Sequence, residues 1–103
     1  MIVIPAIDLK DGKCVRLKEG KMDEVTIFSD DPLQTSSAWF SQGAELLHIV
    51  DLDGAVAGKP INDEIILSIA KEFSDKNIQV GGGIRDYSSA GYYIENGISK
   101  VIM

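Results

Sequence analysis

Leu46-Leu47-His48-Ile49-Val50-Asp51-Leu52, residues 46–52, is a strand-like run that ends among carboxylates and has a helical pattern on either side. Strands separated by helices are joined by crossovers and lie parallel in one sheet. Upstream, Asp31-Pro32 opens a helix expected over residues 32–42, with Pro32 in the first turn, Asp30 or Asp31 as cap, and Gly43 as terminator. Downstream, Asn62 opens a second helix over residues 62–74, where Ile65, Ile66, Ile69, Ala70 and Phe73 recur three and four apart. A third, over residues 87–96, places Ala90, Tyr93 and Ile94 on one side and stops before Gly97. Further strand-like runs occupy residues 2–7, 78–80 and 100–103.

Residues 10–30 are too many for an ordinary connection from a strand to a helix. They hold two more strand-like stretches, 14–17 and 24–28, which could pair as a hairpin, with a mobile polar connection at residues 18–23. The order is α/β: four parallel strands, three helices and an extra hairpin after strand one. It suits the first half of an eight-stranded barrel or a piece of an open doubly wound sheet, and the pattern alone does not separate them. No linker or low-complexity tract divides the 103 residues. One domain is expected, well short of the roughly 250 residues of a complete barrel.

A net charge of −6 argues against a general nucleic-acid or anionic-membrane surface, and no run approaches the length of a membrane span. The expected setting is cytoplasmic. Cys14 is the only cysteine, which rules out an intramolecular disulfide and a cysteine-based metal site. Lys13 and Arg16 beside it could activate the thiol, but a half-buried strand thiol is the simpler reading.

In parallel α/β folds the chemistry gathers at the carboxyl ends of the strands. The first apolar run ends at Asp8, whose side chain can face the barrel axis as a general base or acid, or can cap the turn at Lys10-Asp11-Gly12. His48 lies on the strand face opposite Leu47 and Ile49. Asp51 and Asp53 share a face by period two and suggest a structural ion pair with Lys59 or Arg85; with His48 they form no metal-ligand spacing. Gly81-Gly82-Gly83 follows a strand directly, so its backbone N–H groups could approach a phosphate, or the three could simply make a tight turn. Arg85 adds fork-shaped donors suited to a phosphate or carboxylate.

Residues 4–17, His48-Ile49-Val50-Asp51-Leu52-Asp53-Gly54-Ala55, Gly58-Lys59-Pro60 and Val80-Gly81-Gly82-Gly83-Ile84-Arg85 together resemble the phosphoribosylformimino-aminoimidazole-carboxamide ribotide isomerase family of histidine biosynthesis. The resemblance implies a TIM (β/α)8 barrel, of which residues 1–103 would be the amino-terminal half. It implies an Amadori rearrangement of a bis-phosphorylated ribotide, without metal or organic cofactor. By the same resemblance Asp8 is the base, while its partner belongs to a fifth strand beyond these residues. Arg16, His48 and Arg85 match substrate-binding or loop-ordering positions, and Gly81, Gly82 and Gly83 match one wall of a phosphate site. The sibling cyclase family of imidazole glycerol phosphate synthesis has lysine at the Arg16 position and lacks the Asp51-Leu52-Asp53-Gly54-Ala55 run. A half-barrel would leave two open strand edges and an uncovered apolar face, which are expected to drive association, so either a longer parent protein or a homo-oligomer is expected. The first reading is a segment of the isomerase that needs residues of the other half; the alternative is a non-catalytic half-barrel that binds phosphate or self-associates.

Overall fold

The computed structural model describes residues 4–18 and 21–103. Its strands are β1 (Ala6–Lys10), β2 (Lys13–Lys18), β3 (Lys21–Ser29), β4 (Leu46–Asp51), β5 (Asn77–Gly81) and β6 (Lys100–Ile102). Its helices are α1 (Pro32–Ser41), α2 (Leu52–Ala57), α3 (Asp63–Glu72) and α4 (Tyr87–Glu95). One sheet runs in the order β3-β2-β1-β4-β5-β6. The four strands β1, β4, β5 and β6 are parallel, and β2 and β3 extend the sheet antiparallel from β1.

Strand alternation sorts the side chains into two faces. Ile7, Leu9, Leu47, Ile49, Ile78 and Val80 are at most 1% exposed and pack with Phe40, Ile66, Ile69, Ala70 and Tyr93. Phe40 and Phe73 meet at 5.0 Å between ring centroids, closing the core near the end of α1. A one-residue slip would turn those six strand side chains out of the core, at about 1.5–3 kcal/mol each. That penalty fixes the register, and it thereby fixes which residues face the other way. The opposite face carries Asp8 and Val50 in one row of partners and His48 and Gln79 in the next.

Several expectations need correction. The first strand was expected over residues 2–7, of which 2–3 lie outside the described residues; β1 instead continues through Asp8 to Lys10. It does so because Asp11 and Gly12, with φ of 51° and 74°, make a two-residue turn that folds β2 straight back onto β1. Of residues 18–23, expected as a mobile connection, 18 belongs to β2 and 21–23 to β3, while 19–20 lie outside the described residues. The strand end at Asp51 leads directly into the short helix α2, absent from the helices expected above, because the Asp51 carboxylate caps it through Gly54 N at 2.9 Å. Nor is the open face uniformly apolar: Asp8, His48, Gln79 and Lys100 interrupt it, and Ile102 is 45% exposed on β6.

Candidate active site

Asp8 lies mid-sheet on the open face, flanked by Val15 of β2 and Val50 of β4. Its side chain is half-buried beside these two register partners. Burial raises the Asp8 pKa, and the charge of His48 pulls it partly back. His48 is one residue pair earlier in the β1–β4 register, opposite Ala6, on the same face. Its Nδ1 is buried and has no hydrogen-bond partner among the described residues. Gly81 completes the group, since a Cβ placed on it would lie 3.9 Å from His48 Cε1. Asp8, His48 and Gly81 thus share one sheet face across β1, β4 and β5, with Gly81 at the carboxyl end of its strand and the other two nearer mid-strand. Beyond them, Lys10 and Lys13 face each other across the hairpin, and with Asp11, Val15 and Ile27 they line a pocket of about 240 Å³.

The other expected site residues are engaged elsewhere. Gly82 and Gly83 have φ of 100° and 80°, and their missing side chains admit neighbouring backbone. A Cβ on Gly83 would stand 2.6 Å from the Lys59 carbonyl oxygen and 2.7 Å from that of Gly54, while one on Gly82 would overlap the Asp51 carbonyl. Close packing of the β5–α4 turn on α2 therefore accounts for these two glycines. Arg85 Nη2 donates to the Ala55 carbonyl at 3.3 Å, at the end of α2. Arg16 alternates with Val15, which puts it on the face opposite Asp8, and its guanidinium lies 5.5 Å from the Phe28 ring centroid. Cys14 is fully buried and burial pushes its thiol pKa up, the reverse of an activated nucleophile.

Asp51 and Asp53 have a structural role, without the expected ion pairs. Among the described residues the recorded ion pair is Lys10–Asp11, at 3.3 Å. The fully buried Asp51 carboxylate accepts from Gly54 N, Ile61 N, Asn62 N and Asn62 Nδ2, at 2.8–3.0 Å. Asn62 Nδ2 also donates to Asp53 at 2.9 Å, and Asn62 Oδ1 accepts from Gly12 N at 3.0 Å. Asp53 in turn accepts from Asp11 N at 2.7 Å. Sequence reasoning identified Asn62 only as a helix start. No spacing rule connects it with a turn 50 residues earlier.

Among the described residues no three His, Cys, Asp or Glu side chains are grouped to hold a metal ion, and no helix is long and apolar enough to cross a membrane.

Residues 2–103 match the model of the histidine biosynthesis protein family. Over all 103 residues the chain is 55% identical to a protein of Hahella chejuensis, 54% to one of Thioalkalivibrio sulfidiphilus and 52% to one of Saccharophagus degradans. Each is named as a 1-(5-phosphoribosyl)-5-(5-phosphoribosylaminomethylideneamino)imidazole-4-carboxamide isomerase. The chain spans 42–43% of the length of these relatives.

Proposed function

Because the chain belongs to the histidine biosynthesis protein family, a family of (β/α)8 barrels, we propose that it forms the amino-terminal half of the active site of a ribotide isomerase. The reaction is an Amadori rearrangement, from aminoaldose to aminoketose. An acid opens the furanose ring to an imine, and a base takes the C2′ proton. The imine is protonated, so the C2′–H electrons form a C1′=C2′ bond while the C=N electrons return to nitrogen, which becomes an amine. Reprotonation at C1′ converts the C2′ enol to a ketone. The sequence is redox-neutral and moves only protons, so an enzyme needs two groups in opposite protonation states.

The observation that carries this reading is the setting of Asp8. Its carboxyl group is partly desolvated, its pKa is raised, and His48 nearby favours the ionised form. A carboxylate so placed is a stronger base than one in open water. His48 and Gly81 shape the floor beside it, and Lys10 and Lys13 offer positive charge at the mouth to a bis-phosphorylated substrate. Arg16 and Arg85 would reach substrate only if the hairpin and the β5–α4 turn rearranged. The second acid belongs to the complementary half, and on this reading the chain is inactive alone. The cytoplasm is the setting in which such a biosynthetic enzyme would work.

Turnover of the ribotide tests the reading. The chain joined to the complementary carboxyl-terminal part of the Hahella chejuensis relative is expected to catalyse the rearrangement, and the 103-residue chain alone to show none. Turnover by the chain alone, or none by a folded joined protein, would refute it.

A second reading has its own support in the sheet edges. Among the described residues, β2 pairs with β1 at Asp8–Lys10, leaving Ala6 and Ile7 without a recorded partner on that side, and β6 has no recorded partner on its outer side. Two copies joined through these edges would form a homo-oligomer. Sedimentation of the chain alone is expected to give a mass above that of one copy, and a monomer would exclude this arrangement.

A further inference from the structure

The half-buried Asp8 has β2 as its neighbour on one side, and what holds β2 in place lies far from Asp8 in the chain. The strand joins β1 through the Asp11–Gly12 turn, and Val15 stands directly opposite Asp8. Both central N–H groups of that turn are bound from outside the hairpin: Asp11 N donates to Asp53 at 2.7 Å, and Gly12 N donates to Asn62 Oδ1 at 3.0 Å. Asn62 is itself held by the fully buried Asp51 carboxylate, through its own N at 3.0 Å and Nδ2 at 2.8 Å. Only 7% of Asn62 is exposed, so its amide is withheld from water and is committed to these partners. Gly12 also packs closely on α3, where a Cβ would lie 3.0 Å from Ile65 Cδ1.

We propose that Asn62, with Asp53, is a positioning residue for Asp8: the pair clamps the Asp11–Gly12 turn, which keeps Val15 over the Asp8 carboxyl group. The clamp links the loop after β4 to the turn after β1, so two strand ends of the barrel are set by one side-chain network. This deepens the reading of Asp8 as base and rests on it. Removing the clamp frees β2 to lift from β1, water reaches Asp8, and its carboxyl becomes an ordinary, weaker base.

The test is a carboxyl-carbon NMR titration of Asp8 in the 103-residue chain, with amide hydrogen exchange read at Asp11 and Gly12. Asn62→Ala is expected to speed exchange at Gly12 by tenfold or more and to move the Asp8 midpoint down toward 3.8. Asp53→Ala leaves the buried Asp51 contacts intact, and it serves if Asn62→Ala does not fold. It is expected to speed exchange at Asp11 and to move Asp8 the same way by less. Faster exchange with an unmoved Asp8 midpoint would overturn the proposal, as would unchanged exchange at both amides. The titration needs no turnover. An Asp8 that is well positioned but plays no part in catalysis would therefore show here as a supported clamp, and separately as a joined barrel whose activity survives Asp8→Asn.

Discussion

Asp8 is where folding and chemistry pull in opposite directions. With its pKa raised above 3.8 in the folded chain, the folded state keeps a proton that the unfolded state releases. Stability contributed by the protonated group therefore falls as pH rises from 3.8 through the raised value, and at neutral pH the ionised carboxylate opposes folding. Asp8→Asn is expected to raise the Tm at pH 7, with the gain shrinking on acidification below 3.8; a lower Tm at pH 7 would contradict the desolvated setting. Tyr93 is a second buried group of interest, since its hydroxyl has no hydrogen-bond partner among the described residues, and burial, with Asp51 and Asp63, pushes the phenol's pKa up. Tyr93→Phe is expected to be neutral or to stabilise by up to about 1 kcal/mol in urea unfolding, whereas a loss of that size would reveal a partner for the hydroxyl. Asp8 and His48 were legible in the sequence because period-two alternation assigns a face. The close backbone packing at Gly82 and Gly83 was not, because a phosphate cradle and a tight backbone contact both demand glycine. For Gly83→Ala, urea unfolding should show a loss of about 3 kcal/mol or more, given its positive φ and the carbonyls a Cβ would meet. A cost below 1 kcal/mol would mean that this turn has room to open.

Among the elements, the helices were the most legible. Asp31 caps α1 through Gln34 N at 3.1 Å and Asp86 caps α4 through Ser89 N at 2.7 Å, while α3 carries the clearest apolar stripe, with Ile66, Ile69 and Ala70 buried. What escaped was the short helix α2 and the pairing of β2 with β1. Six residues are too few for a helical period to declare itself, and α2 depends on the Asp51 cap and the backbone packed against it. The β1–β2 turn did leave a signal, the Asp11-Gly12 pair, but the surrounding residues alternate poorly, with lysines at 10 and 13. The turn predicts its own sensitivity. Gly12→Ala combines a positive φ with the contact to Ile65, and chemical denaturation should show a loss of about 1–2 kcal/mol. A neutral result would mean that the turn does not rest on α3.

At the scale of the whole molecule, the parallel order and the half-barrel reading follow from one repeated fact: successive parallel strands β1, β4, β5 and β6 are separated by at least one helix. The helices cover one face, and the other carries the half-buried Asp8, His48 and Gln79 with the exposed Lys100. The sequence pattern could not tell a barrel from an open sheet, because closure depends on strands beyond the four parallel ones, and here family membership decides. The most direct measurement is kcat for the ribotide in the joined barrel, comparing Asp8 with Asp8→Asn at unchanged far-ultraviolet circular dichroism. Loss of a proton-transferring base should lower kcat by about 100-fold or more. A folded Asp8→Asn protein that keeps its kcat would contradict the assignment of Asp8 as the base of this half-site.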